Sequence, residues 1–213
     1  MTEFTDFTDS IKEWANRGDW SDALATSFVR GAEEKFNQDL RIDRMIVSND
    51  ALIASRCAPV PDDWLEFDLV MLQNDSVPSG WVPIRYKARD EFFKLPDNSP
   101  TWVSSLGTYT LEGRQLYFGG PPNAVDGNTV RISYYAEVPV FADDTPSWVY
   151  TKYQALYRYA ALMHADLHAV GEEDRGAMLN GLVESMIGKL NAAHRFSRAS
   201  GSRITRSRMR SFG

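Results

Sequence analysis

The chain has one cysteine, Cys57, and three histidines in 213 residues. A lone cysteine forms no intrachain disulfide, so nothing points to an oxidising compartment, and it reads as a small, partly buried residue. No stretch approaches eighteen apolar residues, which argues against a membrane-spanning helix. Residues Met1 to Asp9 are acidic and polar, without the charged-then-apolar order of a secretory leader. The simplest expectation is a soluble protein made in a cytoplasm. Catalytic signatures are missing as well. There is no Gly-x-Ser-x-Gly turn and no Cys/His set. Gly119-Gly120-Pro121-Pro122-Asn123 lacks the following helix and the Lys-Ser/Thr of a phosphate loop, so it reads as a turn. Neither an internal repeat nor a low-complexity tract precedes the C-terminal tail.

What is present is a chain able to build a core, with 43% hydrophobic residues. Its formal charge of −6 hides an asymmetry, because the segment 195–213 holds arginines and no acid. The body is therefore more acidic than the total shows, and an acidic body with a basic tail suggests a partner for the tail. A solvated terminal tail is the plain alternative.

Helical patterns lie at both ends. Thr8, Asp9 and Ser10 offer cap oxygens before Ile11, Trp14 and Ala15, in a segment ending at Gly18. Ser21 caps a longer helix whose stripe runs Leu24, Phe28, Ala32, Phe36, Leu40, widened by Ala25 and Val29. Arg30, Glu33, Glu34 and Lys35 are expected to lie away from that stripe. Near the other end, Thr145 as N-cap and Pro146 at the first helical position open a helix carrying Trp148, Val149, Leu156, Ala160, Met163 and Leu167. Gly171 interrupts the pattern and Glu172, Glu173 and Asp174 suit a new helix N-terminus. The second pattern runs through Met178, Leu179, Leu182, Val183, Met186, Ile187, Leu190 and Ala193, which completes a helical hairpin.

Between the helices the period falls to two. Met45-Ile46-Val47 and Leu52-Ile53 flank Asn49-Asp50, which reads as a turn. Strand patterns follow at Trp64 to Leu72, Trp81 to Tyr86, Tyr109 to Leu111, Gln115 to Phe118 and Thr129 to Val138. Turns fall at Pro78-Ser79-Gly80, Glu112-Gly113 and Gly119-Gly120-Pro121-Pro122, and residues 89–95 suit a short helix. The expected class is α+β: an antiparallel helical bundle of residues 1–44 and 143–196, and an inserted antiparallel β-sheet or small sandwich of residues 45–142. An extended arginine-rich tail of residues 197–213 completes it, with order ending at Ser200-Gly201-Ser202.

Candidate sites are few. His164 and His168 stand four apart on one helix, as in zinc sites, but Ala165 follows where a metalloprotease needs its general base. With only His194 besides, packing is the better reading, and no metal or cofactor is expected. Asp62-Asp63 and Asp143-Asp144 precede Trp64 and Trp148, and adjacent aspartates before apolar segments suit capping better than general acid/base work. Tyr109, Tyr117, Tyr134, Tyr135, Tyr150, Tyr153, Tyr157 and Tyr159, with Phe118, divide between core and protein–protein contact. No enzyme is indicated. The least ordinary feature is the tail: Arg195, Arg198, Arg203, Arg206, Arg208 and Arg210, interleaved with Ile204, Met209 and Phe212, form a docking peptide for a carboxylate-bearing partner, with DNA as the alternative.

Residues 9 to 198 resemble the bacteriophage head-to-tail adaptor proteins, the connector or gatekeeper rings beneath the portal. The likeness rests on the Ile11–Trp14 helix and on Phe28-Val29-Arg30-Gly31-Ala32-Glu33-Glu34-Lys35-Phe36-Asn37-Gln38-Asp39-Leu40-Arg41. It continues in Pro61-Asp62-Asp63-Trp64-Leu65-Glu66, Tyr109 to Phe118 and Val130 to Pro139, then the Trp148 helix and Asn191-Ala192-Ala193. The arginine tail departs from shorter members. The resemblance implies a structural virion protein of the neck: a ring, in twelve copies, around a DNA ejection channel through which DNA passes without specific binding. The portal would lie above it and the tail tube or nozzle below, and no membrane is involved. The alternatives are a nucleic-acid-binding protein using the tail, and a glycan-binding tail module, for which the carboxylate constellation is missing.

Overall fold

A computed structural model describes residues 2–74, 78–94, 107–120, 125–143, 145–168 and 173–210, with side chains described up to Arg198. The chain divides into two compact units, residues 1–43 with 138–213 and residues 44–137.

The first unit is helical. Helix α1 (Glu3–Trp14) is capped by Thr2, whose hydroxyl accepts from Thr5 N. Thr8 and Ser10 thus lie inside the helix, where their hydroxyls bond the carbonyls of Thr5 and Phe7, and the cap expected there sits a turn and a half earlier. Phe7 and Ile11 explain the shift: both are fully buried, so tertiary contact extends the helix backwards. Helix α2 (Asp22–Asp39) starts as expected, with Ser21 accepting from Leu24 N. Its stripe of Ala25, Phe28, Val29, Ala32 and Phe36, closed by Leu40 at the cap, is buried. Each large side chain contributes about 1.5–3 kcal/mol as an upper bound.

The second unit follows a short 3-10 turn at Asp43–Met45. Its strands are β1 (Ile46–Leu52), β2 (Cys57–Pro59), β3 (Trp64–Gln73), β4 (Trp81–Pro83), β5 (Arg85–Tyr86), β6 (Thr108–Glu112), β7 (Gln115–Phe118) and β8 (Thr129–Ala136); a short helix α3 (Arg89–Phe92) follows β5. They form two four-stranded sheets, ordered β1-β8-β3-β4 and β2-β7-β6-β5. Ile53, Val70, Leu72 and Val130 from one side share a core with Ala58, Tyr109, Leu116 and Phe118 from the other. Gly113, at φ 61°, turns the β6–β7 hairpin.

Two expectations are corrected here. Asn49-Asp50 is not a turn, because β1 runs straight through it, paired residue for residue with β8. The Asn49 amide donates to Tyr134 Oη at 3.1 Å and the Asp50 carboxylate pairs with Arg131, so cross-strand partners outweigh local turn preference. The turn lies further on, at Ser55-Arg56, both at positive φ, where Arg56 N donates to Asp126 Oδ1 at 2.6 Å. Nor is the second sheet wholly antiparallel. After Pro83 the chain leaves the first sheet, and Arg85 and Lys87 N–H groups bond Gly107 and Tyr109 carbonyls, which lays β5 parallel to β6.

The first unit resumes with α4 (Trp148–Lys152), α5 (Gln154–His168) and α6 (Glu173–Arg210). Ser147, not Thr145, precedes the first helical residue, since Thr145 is held in a backbone bridge to Ala142. Tyr153, at φ −131° and ψ 51°, separates α4 from α5. Helix α5 buries Leu156, Tyr157, Ala160, Ala161, Leu162, Met163, Ala165 and Asp166, and packs on both α2 and α6. Gly171 falls outside the described residues. Helix α6 continues through Ser200-Gly201-Ser202 to Arg210, where an extended tail was expected. Arginine and methionine are good helix formers, and one glycine does not stop a helix.

Candidate assembly interface

The first unit contains a polar lock built on one face of α2. Glu33 was expected to lie away from the core; instead it is only 4% exposed. Its carboxylate accepts from Tyr157 Oη at 2.7 Å, from Phe141 N at 2.6 Å and from Arg30 Nη1 at 3.0 and 2.8 Å. One turn on, Asn37 Oδ1 accepts from Val138 N at 2.8 Å. Just past the end of the helix, Arg41 N donates to Asn191 Oδ1 at 2.8 Å, while Asn191 Nδ2 donates to the Asp39 carbonyl. Glu33 and Asn37, four apart, share one face of α2, and Arg41 lies just past its C-cap; together they tie this element to the segment 138–141, to α5 and to α6. Burial and the Glu33 carboxylate both push the Tyr157 hydroxyl far above its ordinary value, so it stays a donor at neutral pH. Around them Phe7, Phe141, Tyr150 and Tyr157 meet edge-on, tilted or stacked, with centroids 4.7–6.0 Å apart.

Helix α6 is anchored just before the arginines of its C-terminal end. Asn191 holds α2, and His194 is buried with Nδ1 2.9 Å from Asp43 Oδ1. Beyond this anchor Arg195, Phe196 and Arg198 are exposed, Phe196 at 74%. Of the residues assigned to docking, Arg195 and Arg198 therefore lie on the solvent side of an ordered helix. Arg203, Ile204, Arg206, Arg208, Met209 and Arg210 lie on its continuation, with side chains outside the described residues, and Phe212 lies outside them altogether. Met178 and Leu182 are exposed on the same face of α6 as Phe196.

The two histidines of α5 both lean on α2. His164 rests on Gly31, where an added Cβ would lie 2.8 Å from its Cγ, and burial holds its imidazole below the ordinary value. The His168 ring lies 5.6 Å from that of Phe28 and 6.4 Å from Trp20. Asp166, between them in sequence, is buried and paired with Arg175 at 2.9 Å. Among the described residues no group of three or more His, Cys, Asp and Glu gathers as metal ligands.

In the second unit Asp63 accepts from Tyr134 Oη at 2.9 Å, and burial together with that carboxylate pushes the Tyr134 hydroxyl up to about 12. Asp62 pairs with Arg114 at 3.0 Å on the surface. Both aspartates thus lie in the turn before β3, Asp63 bonded to Tyr134 of β8 and Asp62 to Arg114. Arg131 stacks over Trp81 at 4.1 Å and grips Asp50 with two nitrogens, holding that carboxyl below its ordinary range. Cys57 is half-buried, and burial pushes its thiol up, away from reactivity. No helix among the described residues is long and apolar enough to cross a membrane.

Sequence reasoning missed Glu33 and Asn37 as structural anchors. The available signal was their spacing, since Glu33, Asn37 and Arg41 sit at i, i+4 and i+8 in the segment that carries the family likeness. No curated protein matches the chain. The family model described as SU10 adaptor protein matches residues 2–208, so a helical unit with an anchored basic helix and a two-sheet β unit make up a chain that belongs to the SU10 adaptor family.

Proposed function

We propose that this phage adaptor is the subunit of a neck ring that joins the portal to the tail tube or nozzle, with twelve copies around the channel through which DNA leaves. The arginine-bearing end of α6 is its portal-docking element. The observation that carries this reading is the anchoring of α6 immediately before that end, where Asn191 and His194 fix the helix to α2 and to Asp43. A docking element on a rigid strut loses less conformational entropy on binding than one on a free tail. Arginine forks suit carboxylates on a partner, and the exposed Phe196 can fill an apolar pocket beside them. The acidic body suits a conduit, because a wall that repels phosphate does not grip a duplex that must leave quickly.

The test uses heads assembled without this protein. Purified full-length chain is expected to attach to them as a ring, counted by particle mass and imaging. A chain lacking residues 197–213 is expected to fold but not to attach. Unchanged attachment of the shortened chain removes the docking role, and a full-length chain that never engages the heads removes the neck role.

A further inference from the structure

The sheet β1-β8-β3-β4 has two edges, and they are built differently. At the β4 edge the ladder is closed by Ile84 N to Val70 O and Asn74 N to Gly80 O, both 2.9 Å, so Trp81 and Pro83 face outward. Pro83 has no N–H, and the Trp81 N–H is met by Ser79 Oγ. That edge is blunted in the manner of a protected sheet.

The β1 edge carries no such device. Its seven residues contain no proline, no lysine and no register shift. Which groups face outward follows from two independent bonds. Ile53 N donates to Asn128 O at 2.9 Å, so in the antiparallel alternation Val47, Asn49 and Ala51 bond β8. Val70 bonds Ile84 on the β4 side, so its partner across the other ladder, Ile132, bonds Asn49 rather than β3. Both place the N–H and C=O groups of Ser48, Asp50 and Leu52 on the open side. Among the described residues none of these groups has a backbone partner, and Ser48, Asn49 and Asp50 are exposed. On the core side of the same strand Val47 stands beside Tyr134 and is 40% exposed, while Tyr134 and Ile132 are buried; the core layer is uncovered along this one flank.

We propose that β1 accepts an added strand: an extended segment of a neighbouring neck protein, antiparallel or parallel, that bonds Ser48, Asp50 and Leu52 through its main chain. Its side chains alternate, apolar where they meet Val47 and Ala51, polar where they meet Ser48 and Asp50. A second copy of this chain does not fit the role. The other described strand edges are the proline-bearing β4 and β2 and the two-residue β5, so sheets of successive copies have no edge to offer β1. Pairing of β1 with itself closes a two-fold dimer and ends assembly. The inference rests on the neck reading above.

The experiment is residue-resolved hydrogen exchange on the full chain, free and attached to heads assembled without it. In the free chain the amides of Ser48, Asp50 and Leu52 are expected to exchange fast and those of Val47, Asn49 and Ala51 slowly. On attachment, with the tail proteins added, the first set is expected to slow by about tenfold or more. Ser48→Pro removes an outward N–H and the hydroxyl bond to Ser133 but no ladder bond to β8, so it is expected to fold, to attach to the heads and to lose that protection at Asp50 and Leu52. Ser48→Ala controls for the hydroxyl bond to Ser133, and Asn49→Pro, which cuts the ladder to β8, is expected to destabilise the fold. If the chain attaches and the three amides still exchange fast, the added strand is excluded while the neck reading stands. If it attaches to nothing, the neck reading fails and the added strand goes with it. Protection in the free chain with a doubled mass assigns the edge to a second copy and overturns the proposal. Should Ser48→Pro fail to fold, the wild-type exchange pattern alone decides.

Discussion

The buried carboxylate of Glu33 accepts the hydroxyl of Tyr157 at 2.7 Å, across 124 residues of chain. The same oxygen takes the Phe141 amide, so one side chain holds α2, the returning segment and α5 together. Removing Glu33 leaves a tyrosine hydroxyl, a backbone amide and an arginine to find new partners. Glu33→Ala is expected to cost about 3–5 kcal/mol of stability, and Tyr157→Phe, which deletes one donor to a charged group, about 1.5–3 kcal/mol. Urea unfolding of the two variants and the double variant checks this, and the double variant should cost less than the two together.

Gly31 and His164 form a second close pair. With a Cβ at 2.8 Å from the imidazole, Gly31→Ala is expected to destabilise by about 1–3 kcal/mol. His164→Ala removes the ring that the new methyl meets, so the double variant should recover part of the loss. A thermal-unfolding cycle over the four proteins reads the coupling; strict additivity would show that the ring moves aside at no cost.

The same imidazole sets a pH dependence. Its pKa is held down in the folded chain by burial, against the Gly31 backbone and Glu34, which raise it, and with Lys35, which lowers it. The unfolded chain therefore takes up this proton first as pH falls, and binds more protons than the native state. This stability contribution is present above the ordinary histidine value, about 6.5, and declines as pH falls below it. Replacement by Leu should flatten the loss between pH 7.5 and pH 5.5, measured as the shift of the urea midpoint.

DNA is expected to be a weak partner. If all the tail arginines neutralised phosphates, the logarithm of affinity would fall against the logarithm of salt with a slope near −5, at about −0.9 per contact. A conduit wall predicts a much shallower slope, with little duplex binding at physiological salt. Titration of full-length chain with duplex at two or three salt concentrations distinguishes the two.

Much of the local structure was legible because it depends on short-range rules. The Ser21 cap, the four-residue stripe of α2, the Gly113 hairpin and the strand periods at Trp64, Gln115 and Thr129 all follow from side-chain spacing and backbone preference. The helices, strands and two sheets confirm an α+β chain, and the family follows from the order of its motifs.

Tertiary contact decided the rest. Thr2 rather than Thr8 caps α1, because Phe7 and Ile11 are needed in the core. Asn49-Asp50 continues a strand, because Tyr134 and Arg131 wait opposite. Glu33 reads as a surface charge in its own helix and is buried, because its partners Tyr157 and Phe141 lie over a hundred residues away. The open edge of β1 has no sequence signature at all. The sequence by itself determined which segments curl and which extend, since those energies are local. Which polar groups are satisfied inside the molecule, and which are left for a partner, depends on pairings between distant segments, and only the folded chain decides them.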